Sequence, residues 1–85
     1  MQNQDQQIYV VTLLRKIRLD ADLRQSDLSR LLGRPQSYVS KYESGARQLN
    51  ILEIRQICEI SGITLFKFVE LLESLLQNGE NDETR

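Results

Sequence analysis

The sequence predicts an all-α fold, five helices in one domain, with the second and third joined by a tight turn. Three observations carry that expectation. Apolar residues recur at spacings of three and four in successive stretches from Ile8 to Gln77. The breaks between those stretches hold Gly33 with Pro35, then Gly45, then Gly62. No stretch alternates apolar and polar residues as a half-buried strand would. At 85 residues, 40% apolar and 27% charged, the chain is one small domain, near the size at which a single core just suffices.

In chain order, residues 1–7 are polar, with four glutamines, and are expected to be a flexible N-terminal tail. Residues 8–77 form the folded domain and residues 78–85, again polar, a disordered C-terminal tail. Helix 1 runs from Ile8 to Ala21, where Val10, Leu14, Ile17 and Ala21 share a face with Leu13 beside them. Arg18 borders that stripe and can reach inward for a partner. Helix 2, from about Gln25 to Leu32, sets Leu28 and Leu32 four apart. Gly33 supplies the freedom a sharp turn needs, and Pro35 pre-sets φ for a third helix from about Gln36 to Glu43. Gly45 ends that helix. Asn50 with Glu53 three residues on reads as a capping box opening helix 4, whose apolar stripe is Ile51, Ile54, Ile57 and Cys58. Ser61-Gly62 breaks it, and Thr64 caps a fifth helix from Leu65 to about Gln77.

Within this frame, helix 3 is unusual. Only Val39 and Tyr42 of its residues are expected to face the core; every other position from Gln36 to Glu43 carries a hydroxyl, an amide or a charge. That composition is poor for a core helix and good for reading base edges, so residues 25–47 read as a helix-turn-helix. The net charge of −1 and pI near 5.4 argue against nucleic acid only if averaged. Residues 15–48 net +4, and residues 49–85 net −4. A basic centre thus coincides with the helix-turn-helix, and the acidic load lies C-terminal to it.

Other chemistries find little support. The chain has one cysteine, Cys58, at an apolar helical position, and no histidine, which removes zinc clusters, Cys/His nucleophilic pairs and imidazole bases. No catalytic residue, metal ligand or cofactor is assigned. Neither a membrane-spanning run nor a signal-peptide pattern is present, so the expected location is cytoplasmic.

The segment from Leu14 to Phe68 closely resembles the phage-repressor and Cro-like, or Xre, helix-turn-helix family of bacterial and phage DNA-binding regulators. The resemblance rests on Leu23-Arg24-Gln25-Ser26-Asp27-Leu28-Ser29 and on Gln36-Ser37-Tyr38-Val39-Ser40-Lys41-Tyr42-Glu43-Ser44-Gly45. It implies a lambda-repressor-like five-helix domain. Arg24 and Pro35 depart from the pattern, which usually places a hydroxyl there to cap helices 2 and 3. The base-reading positions implied are Gln36, Ser37, Ser40 and Lys41, since Gln pairs bidentately with adenine, Lys with guanine, and Ser with either. Gln25 is implied as a phosphate contact; Arg24, Arg34, Tyr38, Ser44 and Arg47 are further candidates. Glu43 matches an acid that, in the family, turns inward to pair with a residue at the position of Arg18.

The expected activity is that of a sequence-specific regulator, a homodimeric repressor on a palindromic double-stranded operator, with no enzymatic role and no small-molecule effector. Alternatives are an antitoxin or restriction-modification controller that represses its own operon, or an interaction module that has lost DNA binding. The apolar arc of helix 5 is wider than its own core requires, which places the dimer interface at Leu71 and Leu75, with Phe66 on the other flank.

Overall fold

The computed structural model describes the backbone of residues 3–83 and the side chains of residues 6–78. Among the described residues it has five helices and no strand: α1 Asn3–Asp20, α2 Gln25–Leu31, α3 Tyr38–Glu43, α4 Ile51–Ile60 and α5 Leu65–Glu83. The outer helices are longer than their apolar patterns predict. Residues 3–7 of the expected N-terminal tail continue α1, and residues 78–83 of the expected C-terminal tail continue α5. Three of residues 3–7 are glutamine, a good helix former, so a helix already nucleated by packing propagates back through them without a hydrophobic face. Residues 1–2 and 84–85 lie outside the described residues.

One core holds the helices together. α1 contributes Leu13, Leu14 and Ile17, α2 Leu28 with Leu32 just beyond it, α3 Tyr38, Val39 and Tyr42, α4 Ile57 and Cys58, and α5 Phe68. The predicted stripe of α4 is one residue too long. Ile51 is exposed at the helix start, and Leu49 from the preceding loop packs against the core with Ile54.

Four corners share one construction. After α1, α2, α3 and α4 a single residue takes a left-handed φ: Asp22 at 63°, Gly33 at 69°, Gly45 at 86° and Gly62 at 86°. Each is followed by an amide that reaches back five residues to a helical carbonyl, as in Leu23 N–H to Arg18 O at 3.2 Å and Ile63 N–H to Cys58 O at 2.9 Å. These bonds satisfy carbonyls that a helix end leaves without partners. Asp22 performs without glycine what the other three do with it.

The helix starts of α2 to α5 are capped in four ways. At α4 the expected box is complete, with Glu53 N–H donating to Asn50 Oδ1 and Asn50 N–H to Glu53 Oε1, both at 2.9 Å. At α5, Thr64 Oγ1 accepts the Lys67 N–H at 3.0 Å. Arg24 cannot accept a bond from its side chain, so α2 relies on Asp27 reaching back to the Arg24 N–H at 3.0 Å. Pro35 likewise offers α3 no hydroxyl, and the cap comes from another helix. Ser29 Oγ of α2, wholly buried, accepts the Val39 N–H at 3.2 Å.

Candidate nucleic-acid interface

α2 and α3 are held in fixed relation by Ser29 and by a buried charge cluster behind them. Arg18 Nε donates to Glu43 Oε2 at 2.7 Å and its terminal nitrogens donate to Glu43 Oε1 at 3.0 Å and to the Leu23 carbonyl at 2.7 Å. Gln25 Nε2 donates to Glu43 Oε1 at 3.0 Å. Both charged side chains are 5% exposed. The pair expected at Arg18 and Glu43 is thus present, and Gln25 belongs to it. One amide hydrogen of Gln25 is engaged inward, while its position at the first turn of α2 keeps it on the rim of the surface described next.

α3 begins later than predicted, at Tyr38, because Tyr38 N–H closes a turn onto the Pro35 carbonyl at 2.9 Å. Gln36 and Ser37 therefore stand exposed in the turn before the helix. A concave surface is lined by Arg18, Arg24, Gln25, Ser26, Gln36, Ser37 and Ser40. A second, adjoining hollow is lined by Arg24, Ser26, Asp27, Arg30, Arg34 and Gln36. Gln36, Arg24 and Ser26 line both hollows. The structure thereby brings Gln36, Ser37 and Ser40 together with Arg24, Gln25 and Arg34, and Lys41 projects exposed one turn beyond Ser37. Lys41 has no ion-pair partner among the described residues. The hydroxyls of Ser40 and Ser44 donate to the Ser37 and Lys41 carbonyls, each at 3.0 Å, which leaves their oxygens as acceptors.

Tyr38 departs from the expected phosphate contact. Its side chain is in the core, only 6% exposed, with its ring edge-on to Tyr42 at 5.6 Å and its hydroxyl donating to Glu53 Oε2 at 3.3 Å. Burial and the Glu53 carboxylate both push the phenol pKa up. A phenol is amphipathic, and here the ring's burial decides its place. Arg34 and Arg47, at opposite ends of α3, each set a guanidinium 5.0 Å from the centre of that ring. Both also face Glu53, Arg47 at 3.1 Å and Arg34 at 3.7 Å. The Asn50 N–H and the Arg47 guanidinium hold the Glu53 carboxyl below the usual range.

Three residues of this surface were missed by sequence reasoning. Ser26 and Arg30 line the hollows, and Glu53 organises the two arginines. Ser26 and Arg30 sit one and five residues beyond Gln25 on a helix already assigned to DNA, which is the signal that could have found them. Glu53 was legible only as a helix cap.

On α5 the predicted dimer residues do not share a face. Leu71 and Leu75 line one groove of about 460 Å³ with Leu13, Ile17, Ala21 and Ile63. Phe66 is absent from that groove and is 80% exposed. Nine residues at 100° each put it about 180° from Leu75 around the helix, so it belongs to another surface.

A two-helix unit whose second helix is packed on a small helical core, with a polar, exposed turn leading into it and arginines at the rim, is a helix-turn-helix DNA-binding domain. The family model described as "Helix-turn-helix" matches residues 14–68. Among solved structures, the chain is 32% identical to the "XRE-family like protein from Pseudomonas syringae pv. tomato str. DC3000". That alignment has a TM-score of 0.79 and covers 85% of this chain and 88% of the other. No curated protein matches. The chain belongs to the XRE family of helix-turn-helix regulators. Among the described residues, no helix is long and apolar enough to cross a membrane, and no group of His, Cys, Asp or Glu is arranged to hold a metal.

Proposed function

We propose that this protein is a transcriptional repressor that binds a palindromic operator as a homodimer, inserting the turn before α3 and its exposed face into the major groove. The observation that carries the reading is the exposed Gln36, which lines two adjoining hollows together with Arg24, beside Arg30 and Arg34. Gln36, Ser37, Ser40 and Lys41 meet base edges, where amide, hydroxyl and ammonium groups can distinguish one base pair from another. Arg24, Gln25, Arg34, Ser44 and Arg47 meet phosphates, which fix register and add affinity without sequence information. Leu71 and Leu75 lie on the surface assigned to the second copy, so that two recognition helices reach half-sites about 34 Å apart.

Selection of operators from random duplexes, followed by a salt titration on the selected site and on bulk DNA, tests this. A palindromic consensus and a steep fall of affinity with salt are expected, because each neutralised phosphate releases counterions. A chain that binds no duplex at all would instead be an interaction module that kept the fold.

A further inference from the structure

The cap of α4 explains only part of the environment of Glu53. Its Oε1 accepts the Asn50 N–H at 2.9 Å, which closes the capping box, and also the Arg47 Nη1 at 3.4 Å. Its Oε2 faces elsewhere, towards the Tyr38 hydroxyl at 3.3 Å and the terminal nitrogens of Arg47 and Arg34 at 3.1 and 3.7 Å. A capping box works as well with Gln at this position as with Glu, so the cap does not require the negative charge. The charge acts on the arginines. Their side chains are 38–40% exposed, whereas that of Glu53 is 13% exposed, so solvent and any ligand approach from the arginine side. Two terminal nitrogens within 4 Å of one oxygen are at most about 8 Å from each other, a gap that the oxygens of one phosphate can bridge with a charge-assisted bond to each.

We infer that Glu53 is a built-in competitor for a DNA phosphate: it neutralises part of the Arg34 and Arg47 charge and thereby holds down affinity for non-specific duplex. The inference rests on the DNA-binding reading above. A phosphate approaching the two guanidiniums meets a cluster of net charge +1 rather than +2, so fewer counterions are released and the salt dependence is shallower. Arg34 and Arg47 meet the backbone of cognate and random duplex alike, so Glu53 holds down both affinities and leaves the choice between sequences to the base-reading residues.

Glu53→Gln keeps the capping geometry and removes the charge. On random duplex the variant should steepen the slope of log K against log salt by about one unit. If the two lines converge near 1 M salt, that slope corresponds to roughly an eightfold gain at 0.1 M. Glu59→Gln, the same charge change on the exposed Arg55–Glu59 pair of α4, should leave the slope unchanged. In an Arg34→Ala, Arg47→Ala background the gain from Glu53→Gln should vanish. An unchanged or weakened affinity in the single variant, a gain that survives removal of both arginines, or a variant that fails to fold would each overturn the inference. Absence of duplex binding by the unaltered protein would instead overturn the DNA-binding reading on which it rests.

Discussion

The buried Ser29 hydroxyl oxygen accepts the Val39 amide hydrogen at 3.2 Å, so the first turn of the recognition helix is capped by the helix that precedes it. Local capping would have fixed α3 internally. Capping from α2 fixes α3 relative to α2, which is the relation a helix-turn-helix must preserve. Ser29→Ala leaves a buried N–H without a partner, at a cost of roughly 1–3 kcal/mol. Urea unfolding should show that loss, and Ser29→Thr, which keeps the oxygen, should differ from it by exposing overpacking rather than a missing bond. An alanine variant as stable as the wild type would mean that water takes the place of the hydroxyl.

The Arg18–Glu43 pair should be far less tolerant. Each partner is 5% exposed, and removing one strands the other charge, a loss of about 3–5 kcal/mol. Glu43→Ala should melt well below the wild type, and it should not bind DNA more tightly. A variant that keeps its melting temperature and gains affinity would place Glu43 in solvent.

Base and backbone contacts should separate by mutation. Gln36→Ala should cost about 1–3 kcal/mol on the selected operator and little on random duplex. Arg47→Ala should weaken both. Equal losses on both DNAs for Gln36→Ala would remove Gln36 from the base-reading set.

Acid should act at α2. The Arg24 guanidinium, and then the Arg24 N–H, hold Asp27 at about 2 in the folded chain, below the ordinary 3.8. A folded-state value below the unfolded one stabilises the protein above the unfolded value, and that stability is lost as pH falls from about 4 towards 2. The melting-temperature gap between wild type and Asp27→Asn should therefore narrow over that interval. A constant gap would assign the difference to the cap geometry alone.

Charge on α5 tests the proposed dimer. Leu71→Glu with Leu75→Glu should give a folded monomer by sedimentation, with operator affinity falling towards that of a half-site, since the linked second binding event is lost. A persistent dimer would move the interface off this groove.

Much of this was legible beforehand because periodicity and glycine report backbone geometry directly. Four helix cores, the corners at Gly33, Gly45 and Gly62, and the Asn50–Glu53 box follow from spacing alone. Asp22 was not legible as a corner, since aspartate marks a left-handed residue far less strongly than glycine does. The helix extensions at Asn3 and Glu83 carry no apolar repeat to announce them. Tyr38 misled because a phenol suits a core or a phosphate equally well, and only its neighbours decide. The Ser29 cap and the Glu53 cluster join residues six to nineteen positions apart through side chains, which no local pattern encodes. The Arg18–Glu43 pair was reached through family resemblance rather than from its own spacing.

The four left-handed corners bear on how fast the chain finds its shape. Three of them join consecutive helices through only a few residues, and the hydrogen bonds that close them span five positions. Each helix hairpin can therefore close with little loss of chain entropy before any distant segment arrives. Proteins dominated by such near-neighbour contacts fold in microseconds to milliseconds. A chain newly released from the ribosome would be folded within that time, so the supply of folded protein would be limited by synthesis and not by folding.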